Sequence, residues 1–226
     1  TPTGGDGCPY NSQSAFAGNP LLISIDKLMK AGFIKREIEP MQSNPHKINY
    51  DAVMAYKYGV LEEVYENFTD GKAGNSKDFD RFVDDNRWWL DDYALFMALN
   101  IHFNYVMWTD WPKELKKHDK KALEKFEKEH LKEVNRFRFY QWLFYSQWKE
   151  LRAYANKRGV SIMGDIPIFV AYNSADVWAN QEQFMMKDGK LLESAGVPPD
   201  YFAKDGQLWG NPLYNWKHME KDGFKW

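Results

Sequence analysis

Cysteine is nearly missing. Cys8 stands alone in 226 residues, so no internal disulfide can form and the chain is expected in a reducing, cytoplasmic setting. No uninterrupted apolar run is long enough to span a bilayer and no signal peptide is visible, so no membrane is expected as a partner. Neither sign of charge dominates. Lys+Arg 30 against Asp+Glu 32 leaves a net charge of -2, which removes the electrostatic case for nucleic acid or an anionic surface. There is no internal repeat, no low-complexity tract and no Ser/His/Asp order of the hydrolase kind. A Gly-rich phosphate loop is also absent, which disfavours a nucleotide-dependent transferase. His102 has His118 as its nearest histidine, without metal-ligand spacing.

Aromatics are what the chain has in quantity: 10 Trp, 13 Tyr and 15 Phe. Most of them fall on helical stripes and are assigned to the core. Trp88, Trp89, Tyr93, Phe96 and Met97 crowd one such stripe, and the run from Phe137 to Asn156 is nearly all apolar or aromatic. The stretch from Gly196 to Trp216 differs. It mixes Pro198, Pro199, Gly206, Gly210 and Pro212 with Tyr201, Phe202, Trp209, Tyr214 and Trp216, and adds the carboxamides Gln207 and Asn211. Such a loop either folds a small core of its own or offers flat apolar faces to a ligand. Aromatic faces suit the slightly positive C–H faces of sugars, and amides and carboxylates suit their hydroxyls. Nucleic-acid bases also stack on aromatics but call for interleaved cations, and Lys204 is the only cation between Gly196 and Trp216. A neutral polyol is the better match.

Coarse elements follow from periodicity and punctuation. Ser24–Phe33 reads as a short helix ending at Gly32, and 34–49 as irregular. Further helices are expected at Asp51–Phe68, Asp78–Asn86 and Trp88–Phe103, with a stop at Asp110–Pro112. One long helix is expected from Asp119 to Arg158, ended by Gly159. The apolar run Val160–Met163 then predicts a buried parallel strand that opens at Gly164, Asp165 and Pro167. Asp165 is thus placed at a strand end, where α/β sheets bind ligands, or else caps a turn. Ser174 is an N-cap, Met185–Glu193 a hairpin turning at Asp188–Gly189, and a short helix lies near Lys217–Lys221.

The strings GDIPIFVA, SADVWAN, AGVPPDYF and GQLWGNPLYNW, with SAFAGNPLLI and WWLDDYALFMAL before them, resemble the 4-α-glucanotransferases called amylomaltases or disproportionating enzymes. The resemblance implies an α/β fold: the mostly helical portion of a (β/α)8 TIM barrel with helical insertions, one inner parallel strand at about 160–165 and a small β-hairpin at about 184–194. It divides the chain into a loop after a barrel strand (1–23), a helical insertion (24–135) and a barrel helix, strand and aromatic substrate loop (136–226). It implies maltooligosaccharides and α-1,4-glucans as partners, no cofactor and no metal.

Retaining transfer between glucans needs a carboxylate nucleophile and an acid about 5–5.5 Å apart. In the family these lie after the GFKW region, the first in an Arg-x-Asp-His context. Neither motif occurs here, and the chain starts at Thr1, so a piece of a longer protein is expected and no catalytic residue is named. The resemblance carries over sugar contacts instead: Tyr10, Asp165, Tyr201, Phe202, Gln207 and Trp209. Asn211 and Pro212 are expected to hold the loop. Cys8 stands where many members carry serine and is expected to be small and buried. A non-catalytic glucan-binding module and a helical domain whose aromatics are all core are the competing readings. Self-association is expected of a chain with one unpaired parallel strand.

Overall fold

The computed structural model describes residues 1–3, 8, 10–42, 44, 46–165 and 168–226. The Gly/Pro loop at 4–7 and 9, and Pro167 with its expected turn, lie outside the described residues. In chain order the helices are α1 (Ile25–Lys30), α2 (Tyr50–Thr69), α3 (Ser76–His102), α4 (Lys113–Lys116), α5 (Lys120–Glu129), α6 (Leu131–Lys157), α7 (Ala175–Ala179) and α8 (Trp216–Asp222). The strands are β1 (Met186–Lys187), β2 (Lys190–Leu191), β3 (Ser194–Val197) and β4 (Gln207–Pro212), paired β1 with β2 and β3 with β4, both antiparallel. The chain forms two compact units. Residues 18–90 and 135–164 make a helical unit; residues 1–17, 91–134 and 165–226 make a unit that carries both strand pairs.

The helical unit is built on α2, the first half of α3, and α6. Ser24 caps α1 by accepting from the Lys27 amide, and Asn49 caps α2 by accepting from the Ala52 amide. The core is a cluster of rings: Phe139 packs against Phe68 at 4.7 Å between centroids, Tyr65 at 5.3 Å and Trp142 at 5.5 Å. Two glutamines on one side of α6 hold the preceding segment. Gln141 accepts from the Gly18 amide at 2.7 Å and donates to its carbonyl at 3.0 Å. Gln147 does the same for Ser24, at 2.7 and 3.1 Å. Each carboxamide imitates the pairing that a neighbouring strand would provide, which satisfies backbone groups that burial would otherwise orphan. Gly18 is required by this approach, because a Cβ there would lie 2.0 Å from Phe144 Cδ1. The close backbone packing expected of SAFAGNPLLI is present.

The other unit buries indoles. Trp108 and Trp178 are fully buried, and both find acceptors: Trp108 Nε1 donates to the Tyr172 carbonyl at 2.8 Å and Trp178 Nε1 to the Leu115 carbonyl at 2.9 Å. Trp178 packs against Phe96 and Trp111. Of the aromatic stripe on α3, Trp89, Tyr93, Phe96 and Met97 are buried as expected, whereas Trp88 is exposed.

Four expectations need correction. Val160–Asp165 is not a strand. Val160, Ile162 and Met163 are 56%, 43% and 95% exposed, and no ladder forms. A parallel strand exists only against a neighbour that donates and accepts along its length, and among the described residues none runs beside it. Asp78–Phe103 is one helix rather than two. Asn86 does not break it but donates to the Phe82 carbonyl at 2.8 Å and accepts from the Trp89 indole at 3.1 Å. The long helix from Asp119 is two, because His130 leaves helical geometry (φ -123, ψ 33) with its ring stacked on Phe126 at 4.3 Å. Finally, Gly196–Trp216 is not a loop throughout. Its flanks form β3 and β4, which the glycines and prolines hid.

Candidate functional site

β3 and β4 form a ribbon with a bulge between Ser194 and Gly196, and residues 198–206 make its tip. Glycine is needed twice. A Cβ at Gly196 would lie 2.4 Å from the Gln207 carbonyl oxygen, and Gly206 sits at φ +73 with the Val197 carbonyl oxygen 2.5 Å from where its Cβ would be. At the tip Asp200 folds the chain on itself: its Oδ1 accepts from the Phe202 and Ala203 amides at 2.9 and 2.8 Å. That turn projects Tyr201 and Phe202 outward, 96% and 88% exposed, with their rings perpendicular at 5.5 Å.

On β4, residues 207 and 209 share a face because strand side chains alternate. Trp209 Nε1 donates to Gln207 Oε1 at 3.0 Å, which fixes the indole beside the carboxamide. Trp209 remains 48% exposed. Phe169 meets its ring edge-on at 6.4 Å and stacks on Tyr214 at 6.1 Å. Asn211 Nδ2 donates to the Val170 carbonyl at 3.0 Å, and Pro212 is buried opposite Ser194. These two fasten the ribbon, as expected. Below it lies an apolar hollow of about 720 Å³ bordered by Ile168, Phe169, Leu192, Tyr214 and Trp216.

A second pairing joins residues 155 apart. The exposed Tyr10 hydroxyl donates to Asp165 Oδ2 at 3.0 Å. This hydrogen bond, and then the carboxylate's charge, raise the Tyr10 phenol above its ordinary value. The six sugar-contact candidates are therefore found as three pairs: Tyr10 with Asp165, Gln207 with Trp209, and Tyr201 with Phe202. Every one is open to solvent. An all-core role for the aromatics is excluded at Tyr201, Phe202 and Trp209. Cys8, expected to be buried, is only half-buried.

Asp176 is the strongly perturbed carboxylate. It is 5% exposed in the first turn of α7, and its Oδ2 accepts from the Ala15 amide at 2.8 Å. Burial pushes it up to about 6, against the pull of the Ala15 amide, the Trp226 indole and the Ser14 hydroxyl. Such a value would suit an acid catalyst, but this oxygen is spent on the backbone of the segment behind Tyr10. Its role is to fasten that segment. Sequence reasoning missed Phe169, the support of Trp209, because it reads as the end of a strand rather than as part of an aromatic stack. Among the described residues, no group of three or more His, Cys, Asp or Glu is placed to hold a metal ion, and no helix is long and apolar enough to cross a membrane.

The 4-alpha-glucanotransferase family model matches residues 1–226. A 4-alpha-glucanotransferase of Clostridium butyricum is 43% identical, over 96% of this chain and 45% of its own length. The Thermus thermophilus 4-alpha-glucanotransferase is 42% identical, over 99% of this chain and 45% of its own length. Among solved structures, the amylomaltase from Streptococcus agalactiae in complex with acarbose superposes with a TM-score of 0.92 at 34% identity, covering 100% of this chain and 46% of that one. The chain thus spans less than half the length of these relatives.

Proposed function

Because the chain belongs to the 4-alpha-glucanotransferase family, we propose that it supplies sugar-binding walls to a longer enzyme that moves α-1,4-glucan segments between maltooligosaccharides. The observation that carries this reading is the β3–β4 ribbon. It presents Tyr201, Phe202 and Trp209 to solvent, with Gln207 locked against the indole. Apolar rings of this size in the open, fixed by a glycine-dependent frame, are suited to a ligand with both apolar faces and hydroxyls. Tyr10 and Asp165 add a hydroxyl and a carboxylate for hydrogen bonding to sugar.

The reaction is a double displacement with net retention. A carboxylate attacks the anomeric carbon while an acid protonates the leaving oxygen, and a sugar 4-hydroxyl then intercepts the glycosyl-enzyme. We assign both carboxyls to sequence outside these 226 residues, since the Arg-x-Asp-His pattern is absent from them. The task of this part is to bind and to exclude water. Tyr201 and Phe202 at the ribbon tip form an apolar cover that keeps water from the intermediate until an acceptor fills the site. In the longer protein, Val160–Asp165 finds strand neighbours and becomes an inner strand of a (β/α)8 barrel, which brings Asp165 to a strand end. The single cysteine suits a cytoplasmic enzyme.

The test is Trp209→Ala in the complete enzyme. Transfer from maltotriose is expected to fall about tenfold or more, as the loss of one aromatic stacking contact of about 1–3 kcal/mol in the transition state implies. The melting temperature should barely move, because the indole is half-exposed. A fall in stability that accounts for the lost activity would refute the binding role.

A further inference from the structure

The helical unit contains an open groove of about 960 Å³ between the first half of α3 and the second half of α6. None of the six residues assigned to the sugar-binding walls lines it. Its aromatic members are not alike. Trp142 is held by the core rings, Phe68 at 5.6 Å and Phe139 at 5.5 Å among them. Trp148 borders the same groove, is half-buried, and makes no ring contact among the described residues. Its indole has no structural partner of its own kind.

The rim supplies hydrogen-bonding groups that are also uncommitted. Asp85 comes from α3, and Lys149, Arg152 and Asn156 from α6. All four are exposed, and none forms an ion pair or a side-chain hydrogen bond among the described residues. By contrast, Arg81 and Asp78 in the same groove neutralise each other, and Glu150 on the same helix is taken by Lys27. The spacing of 149, 152 and 156 places the three α6 side chains along one helix face. A phosphate-bearing ligand would meet Asp78 and Asp85 as well as the cations. A neutral polyol meets acceptors and donors together, beside one free aromatic face.

We propose that this groove is a second binding site for an α-1,4-glucan chain, with Trp148 as its stacking surface and Asp85, Lys149, Arg152 and Asn156 as its hydroxyl partners. The ligand class rests on the family reading above, while the site rests on its own residues. Such a site retains a long chain on the enzyme and has no part in transfer between short ones. It affects polymers and leaves maltotriose untouched.

The experiment uses the complete protein carrying this chain, run in native gels with and without soluble amylose. Trp148→Ala is expected to weaken retardation by amylose at least fivefold. The double variant Arg152→Ala, Asn156→Ala is expected to do the same without disturbing any ring. Maltotriose disproportionation should stay within twofold of the parent in both. Should Trp148→Ala lower the melting temperature, the double variant, altered only at exposed positions, decides the question. Retardation undiminished in the folded variants overturns the proposal. Trp209→Ala run alongside keeps the two readings apart: unchanged maltotriose transfer in that variant overturns the ribbon's role and says nothing against the groove.

Discussion

Asp176 is the residue whose chemistry reaches furthest from its place. Its pKa, about 6 in the folded chain, lies above the ordinary 3.8 because burial disfavours the charge. The folded state therefore keeps a proton that the unfolded chain has already released. Stability falls as pH rises from about 4 to about 6 and the penalty is complete above that window, reaching about 3 kcal/mol for a shift of two units. Asp176→Asn keeps an oxygen for the Ala15 amide and removes the charge. Thermal melts should show the variant gaining stability over the parent above about pH 6 and losing the parent's slope between about 4 and 6. Equal slopes in both proteins would contradict the assignment. Tyr10 offers a parallel check. With Asp165→Asn its phenol should ionise at lower pH, since the negative neighbour is gone. A phenolate absorbance titration, with Tyr10→Phe to isolate this tyrosine among thirteen, reads the change.

Among the secondary elements, the ribbon and the glutamine-clamped segment depend on small residues. Gly206→Ala forces a side chain into φ +73 and against the Val197 carbonyl oxygen. The left-handed conformation alone costs about 1–2 kcal/mol. We expect the tip to open, visible as faster proteolysis within 198–206, while the helical unit's amide-exchange protection is unchanged. Gln141→Leu strips the Gly18 amide and carbonyl of their partners in a buried setting. At about 1–3 kcal/mol for each stranded group, melting should drop by several degrees or more.

These two elements also mark where sequence was readable. Helix starts at Ser24, Asn49 and Ser174 follow from short polar caps, and the β1–β2 turn from Asp188–Gly189, which adopt φ 51 and φ 76. Such signals are local. β3 and β4 were illegible because Gly196 and Gly206, which read as loop, are what let two strands approach. The clamp by Gln141 was illegible because its partner lies 123 residues away. Val160–Met163 misled in the opposite sense, since its composition reports a strand that needs neighbours to exist. At the candidate site, the open rings of Tyr201 and Trp209 could be inferred from composition. The pairing of Tyr10 with Asp165 joins distant positions and could not.

The whole chain raises the question of what 226 residues can do unaided. Retaining transfer requires two carboxyls facing one glycosidic bond. Tyr10 Oη holds Asp165 Oδ2 at 3.0 Å, and Asp176 is buried against backbone. Neither is offered with a second carboxyl as nucleophile and acid. The open apolar surface is a separate liability. Met163 is 95% exposed, Ile168 73% and Leu192 58%, and side chains of that kind drive association when left uncovered. We therefore expect purified residues 1–226 to release no glucose from maltotriose, to bind maltooligosaccharides weakly or not detectably, and to self-associate at micromolar concentration. Product analysis reads the first, calorimetry the second and sedimentation the third. Glucose with longer glucans from the pure chain would mean that Asp165 or a neighbour performs the displacement, and the assignment of the nucleophile to sequence outside the chain would fall. A monodisperse monomer would show that the exposed run at 160–163 and the hollow beside Trp216 are tolerated without a partner.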